Sequence, residues 1–197
     1  MLGSRDVPGY TCAMRAVWLE VPEMFLEERR RLGLDKKDEL WDGVLHMVPP
    51  PASAHQRRVA DLFAALIPVA KRLGLEIWGD ATGLYGGDKN WRIPDVTLAR
   101  PEHVSERGLE SAVLVVEMLS PNDESRDKFA FYARAGVREV WIIDPHSRAF
   151  EIYALGDDGY TQVPTAGPAI SPALGIALAI VDGPRLRLTD GADHADI

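Results

Sequence analysis

The chain has 197 residues, 46% of them hydrophobic and 26% charged, the size and balance of one ordinary globular domain able to bury a sizeable core. A net charge of −8 and a pI near 5.1 argue against a protein that coats nucleic acid, since such binding rests on lysine and arginine meeting phosphates. One cysteine, Cys12, excludes an internal disulfide, and the apolar stretches fall far short of the roughly 20 residues of a bilayer span. The N-terminus shows no basic start followed by an apolar run, so the expected location is the cytoplasm.

Residues 1–20 read as an irregular lead-in, 21–182 as a single domain, and 183–197 as a polar tail whose last ten or so residues are expected to fray. Residues 21–32 read as a short helix, with Pro22 near its start and Gly33 closing it. Residues 39–48 read as two short strands turned by Asp42-Gly43, and Pro49, Pro50 and Pro51 then halt regular structure. The clearest helix spans 53–73. Ser53 and Gln56 suggest a capping box, Val59, Leu62, Phe63, Leu66, Ile67, Ala70 and Leu73 form an apolar face, and Gly74 ends it. Strand-like segments follow at 75–79, 82–85 and 92–99, with Gly86-Gly87-Asp88 as a turn. The run 112–119, nearly all apolar, has the pattern of a strand covered on both faces. A second helix is expected over 123–135, ended by Gly136, then strands at 139–143 and 149–154, with 160–163 pairing with the latter. The order predicts an α/β or α+β fold, a mixed sheet flanked by helices, without internal repeats.

Glu117 is the informative anomaly, a carboxylate inside Val113-Leu114-Val115-Val116-Glu117-Met118-Leu119. Such a group is costly to bury unless protonated, paired or bound to a metal, although it could also cap the next helix or pair with an arginine. Alternation along a strand places it on the face of Val115 and Leu119. Asp95 follows Pro94, a residue that marks edges and bulges; an exposed edge aspartate is the alternative. Lys128 shares helical phase with Phe131, Tyr132 and Ala135, so it either snorkels outward or meets buried carboxylates. Glu39 opens a strand beside Trp41, and His55 lies on the face of Val59, Leu62 and Leu66, as a packing or capping histidine often does. Arg29, Arg30, Arg31, Lys36 and Lys37 form one basic group and Arg57 with Arg58 another, both read as solvated faces.

Taken together, Glu39-Leu40-Trp41-Asp42-Gly43, His55, Ile93-Pro94-Asp95-Val96, Val115-Val116-Glu117-Met118-Leu119-Ser120-Pro121, Lys128, Tyr132 and the stretch from Gly136 to Pro145 (GVREVWIIDP) form a recognisable succession. It resembles the Uma2 family of the PD-(D/E)xK, restriction-endonuclease-like superfamily. The resemblance implies a Mg²⁺-dependent (or Mn²⁺-dependent) endonuclease with DNA as substrate, commonly expected as a homodimer so that both strands are cut. The superfamily's lysine two residues after the glutamate is replaced here by Leu119, a departure the family shares, and Lys128 from the following helix matches the displaced lysine. By the same resemblance Asp95, Glu117 and the Met118 carbonyl are the metal ligands, Glu39 completes the acidic cluster directly or through water, and His55 supports it from behind. Trp41 and Tyr132 are expected to pack around the site. Two other readings stay open: an inactive module that binds DNA or a protein partner, and a purely structural ion triad of Asp95, Glu117 and Lys128.

Overall fold

A computed structural model gives the fold, and it describes residues 21–48, 51–79, 81–120, 123–165, 167–183 and 185–197. The expected lead-in, residues 1–20, lies outside them. Helix α1 (Glu23–Leu32) starts after Pro22 and ends at Gly33, whose φ of 66° is the left-handed conformation that closes a helix. Strands β1 (Glu39–Trp41) and β2 (Val44–His46) pair antiparallel. Their two-residue loop is Asp42-Gly43, with φ of 47° and 91°, the pair of positive angles that a hairpin turn of matching twist requires.

Helix α2 (Ser53–Leu73) occupies the predicted span, but the capping box is absent. Ala52 is the N-cap, and its carbonyl takes the Gln56 N–H at 3.1 Å, so Ser53 already lies inside the helix and has no cap to make. Val59, Leu62, Leu66, Val69 and Ala70 are its buried face, and burying each leucine contributes about 1.5–3 kcal/mol.

Next come β3 (Glu76–Gly79), β4 (Leu84–Tyr85), β5 (Trp91–Arg92) and β6 (Val96–Ala99). The expected single strand at 92–99 is thus two. Strand β5 belongs to a four-stranded sheet of order β2-β1-β5-β4, while β6 belongs to another. The break falls at Ile93-Pro94-Asp95, where proline has no N–H to continue a ladder. Strand β7 (Leu114–Met118) is buried throughout. The helix expected over 123–135 is a 3₁₀ turn, Ser125–Lys128, followed by the short α3 (Phe129–Arg134). Strands β8 (Glu139–Ile143), β9 (Phe150–Gly156) and β10 (Gly159–Gln162) complete a six-stranded central sheet, order β10-β9-β8-β7-β6-β3. Only β7 and β8 are parallel, and the 3₁₀ turn and α3 lie in the crossover that parallel neighbours need.

The two faces of the central sheet carry different layers. Leu114, Val116 and Met118 of β7 pack with α2, while Val115 packs with Phe131 and Tyr132 of α3. Gly86 lets the Phe131 ring approach, because a Cβ there would sit 2.7 Å from the ring.

The C-terminal segment is where expectation and structure diverge most. Strands β11 (Ala169–Ile170), β12 (Ala177–Val181), β13 (Arg185–Asp190) and β14 (Asp193–Asp196) form a third, antiparallel sheet rather than a frayed tail. Leu186 and Leu188 alternate with Arg185 and Arg187 and are buried in the same cluster as α2, so the polar look of this stretch is the outward half of a strand pattern. Arg187 binds Asp196 through two contacts of 2.6 and 2.8 Å, and Arg72 of α2 reaches Asp190 at 2.7 Å.

A fully buried carboxylate, Glu139, ties this sheet's approach to the central one. It accepts from Trp141 Nε1, from Ser171 Oγ at 2.6 Å and from Ala173 N–H at 2.8 Å. Glu139→Ala orphans these donors, and about 3 kcal/mol of stability should be lost. Urea unfolding checks this; a loss below about 0.5 kcal/mol, the size of an ordinary surface substitution, would contradict it.

Candidate active site

The two carboxylates meet through strand register. Val96 of β6 stands opposite Val116 of β7 in an antiparallel pair, so one step further places Asp95 level with Glu117. Asp95 comes just before β6, freed from the ladder by the proline break, and its Oδ2 accepts the Met118 N–H at 2.8 Å. Glu117 lies on the α3 face of β7, as the alternation of the strand predicts, and is 4% exposed.

Lys128 closes the 3₁₀ turn immediately ahead of α3, and the turn aims its side chain inward. Its ammonium donates to Glu117 Oε1 at 3.0 Å and to Glu39 Oε1 at 2.9 Å. Tyr132, one turn further on, donates a short hydrogen bond to the same Glu117 oxygen. Snorkelling is thus ruled out by the side chain's partners. Glu39 comes from the first sheet and uses both oxygens. Oε1 also accepts the Ile93 N–H at 2.8 Å, and Oε2 accepts Trp41 Nε1 at 2.7 Å. His55 enters from the first turn of α2, with Nε2 3.2 Å from the Met118 carbonyl and 3.4 Å from Asp95 Oδ2, while its buried Nδ1 has no partner among the described residues.

All six residues singled out in the sequence therefore gather at the C-terminal end of β7. Two more join them. Tyr132, expected only to pack, is a hydrogen-bond donor to Glu117. Arg92, overlooked, is 3% exposed and lies between the rings of Trp41 and Phe131, 4.4 and 4.3 Å from their centres, with Nη1 donating to the Leu40 carbonyl at 2.9 Å. Its signal was an arginine inside a strand, flanked by Trp91 and the Ile-Pro-Asp break.

The charges are unequal: Asp95, Glu117 and Glu39 against the permanent cations Lys128 and Arg92. Burial pushes the Glu117 carboxyl up to about 7; Lys128 and the Tyr132 hydrogen bond oppose this, and Asp95 and Glu39 add to it. Burial works against the Lys128 ammonium, but Glu117 and Glu39 outweigh it and hold its pKa above the ordinary lysine value. Tyr132 is raised well above its usual value by burial and then by the two glutamates. The hydrogen bond to Asp95 raises His55 against the opposing effect of burial. Lys128 is therefore a fixed positive charge at neutral pH and Tyr132 a fixed donor; neither is a base.

The profile of the family described as "Uma2: Putative restriction endonuclease" matches residues 23–181. The chain belongs to the Uma2 family. Among solved structures, it is similar to the 1.96 Å crystal structure of "a putative nuclease belonging to DUF820" from Anabaena variabilis, with a TM-score of 0.58 and 16% identity over 72% of this chain and 84% of that one. That likeness shows the restriction-endonuclease-like fold. No curated protein matches the chain. Strands β13 and β14 lie beyond the Uma2 match, extending the third sheet from the edge of β12. Among the described residues, no helix is long and apolar enough to cross a membrane.

Because Lys128 neutralises a buried cluster, removing it leaves Glu117 and Glu39 uncompensated. Lys128→Ala should lower the unfolding free energy by about 3–5 kcal/mol, and pairing it with Glu117→Gln should recover a good part of that loss. A double-mutant cycle in urea reads the coupling. Strict additivity of the two changes would show that the pair does not interact.

Proposed function

We propose that this Uma2 protein is a Mg²⁺- or Mn²⁺-dependent endonuclease hydrolysing DNA phosphodiester bonds, with Asp95, Glu117 and Lys128 at its centre. The observation that carries the reading is the placement of Glu117, a buried carboxylate level with Asp95 and beside a charged lysine. Among the described residues, no three His, Cys, Asp or Glu side chains group closely enough to hold an ion by themselves. That suits Mg²⁺, which keeps several waters and takes one or two carboxylates together with substrate phosphate. Asp95, Glu117 and the Met118 carbonyl are the hard oxygen donors that would hold it. Three carboxylates, Asp95, Glu117 and Glu39, face the two cations Lys128 and Arg92, a surplus of negative charge that fits a cation seat.

A bound divalent ion would supply Lewis acidity toward the phosphate and lower the pKa of a nearby water. Lys128 places its charge where negative charge builds on the phosphorus oxygens, and it can orient a water for in-line attack. Glu39, with both oxygens already engaged, serves in this reading as the second counter-ion of Lys128 and fixes where that ammonium points. Tyr132 and the Asp95–Met118 hydrogen bond hold the two carboxylates in place. His55 holds the far side of the Met118 carbonyl. A homodimer acting in the cytoplasm, two sites related by a two-fold axis for the two strands, completes the proposal.

The test is cleavage of supercoiled and linear DNA by purified protein with Mg²⁺ or Mn²⁺. Asp95→Asn, Glu117→Gln and Lys128→Ala should each lower the rate by about a hundredfold or more. Equal cleavage by all variants would mark a contaminant and remove the proposal.

A further inference from the structure

On the α2 side of the central sheet is an arginine-lined cleft that the proposed chemistry does not use. It measures about 650 Å³ and is walled by Arg57, Arg58 and Asp61 of α2, Arg148 of the turn between β8 and β9, and Arg185 and Asp196 of the third sheet. Its acids are already committed. Asp61 is shared by Arg57 at 2.9 Å and Arg58 at 3.3 Å, and Asp196 by Arg187 at 2.6 Å and Arg185 at 3.2 Å.

Arg148 differs from the rest. It is 8% exposed, and its Nε and Nη1 are buried with no hydrogen-bond partner among the described residues. Its backbone sits at a φ of 66°, a left-handed region that non-glycine residues seldom adopt. Burial lowers its pKa and Arg58 adds to that effect, while Asp61 and Asp144 oppose it without hydrogen-bonding the two buried nitrogens. A guanidinium with two nitrogens out of water and unpartnered is an arrangement that a bound anion would relieve. Its planar fork suits two oxygens of one phosphate.

We infer that this cleft binds a phosphate group, with Arg148 as the buried donor and Arg58 and Arg185 as flanking charges. Its position gives the source. Arg148 follows β8, whose Ile143 is level with Met118 of β7, and Arg57 lies two residues after His55 on α2. The cleft thus lies toward the same end of the sheet as Glu117, on its α2 side, and, resting on the nuclease reading, the phosphate is one of the DNA backbone flanking the bond to be cut.

The experiment measures binding of a fluorescein-labelled DNA duplex by anisotropy in EDTA, so that no cleavage or metal is involved, beside calorimetric titration with inorganic phosphate. Wild type is compared with Arg148→Gly. Glycine accepts the positive φ, so Arg148→Gly should melt no lower than wild type. Duplex binding by Arg148→Gly should weaken about tenfold, and the slope of log affinity against log salt should fall by about one. Phosphate binding that Arg148→Gly abolishes, with no duplex binding by wild type, would support the cleft and assign it a free phosphate compound instead of DNA. Equal binding of both ligands by wild type and Arg148→Gly would overturn the inference. Arg148-dependent duplex binding in a protein that cuts no DNA would sink the nuclease reading and leave the cleft standing.

Discussion

The ion pair between Glu117 and Lys128 is the constraint around which the molecule is arranged. A carboxylate inside a covered strand costs several kcal/mol unless a counter-charge meets it, and the pair is worth having only when geometry and further hydrogen bonds are good. Here the geometry is supplied by three separate pieces. The central sheet presents Glu117, the 3₁₀ turn before α3 presents Lys128, and the first sheet presents Glu39 as a second acceptor for the same ammonium. Because Glu39 also takes the Ile93 N–H and the Trp41 indole, the cluster joins the small sheet to the large one at the point where the chain crosses between them. Arg92, held between Trp41 and Phe131, reinforces that junction with a second cation.

This arrangement also explains why Asp95 can face the site. Had 92–99 been one continuous strand, Asp95 would have been an ordinary ladder residue. The proline break moves β5 and β6 into different sheets and leaves Asp95 at the mouth of the central one, where its carboxylate takes the Met118 N–H. Local backbone chemistry, a missing N–H, thereby becomes site geometry.

The central strands and α2 are legible because each carries a strong pattern: a nearly continuous apolar run in β7 and β8, and a helical stripe in α2. Glu117 was legible as the exception within such a run, and Lys128 through the phase it shares with Phe131 and Tyr132. The sequence shows one helix over 123–135 where a 3₁₀ turn precedes α3, because helical phase and 3₁₀ phase agree over a single turn, so Lys128 points inward in either. Tyr132 reads from sequence only as packing, because nothing in spacing tells a buried ring from a hydroxyl that donates. The third sheet was missed because its buried leucines, Leu186 and Leu188, are only half of a short alternation whose other half is charged. Glu139, inside a strand like Glu117, is the instructive contrast: also buried, it accepts from Trp141, Ser171 and Ala173, and among the described residues no salt bridge reaches it. An apolar strand containing a glutamate does not by itself say which of the two it holds; the partners do.

The claim at the centre is that the carboxylates around Lys128 form a divalent-cation seat and not merely a structural ion cluster. Calorimetric titration of the wild-type protein and Glu117→Gln with Mn²⁺ tests it most directly. Saturable binding near one ion per chain, lost on Glu117→Gln while both proteins keep the same far-ultraviolet circular dichroism, is the predicted result. No binding by wild type, or binding that Glu117→Gln leaves intact, would contradict it.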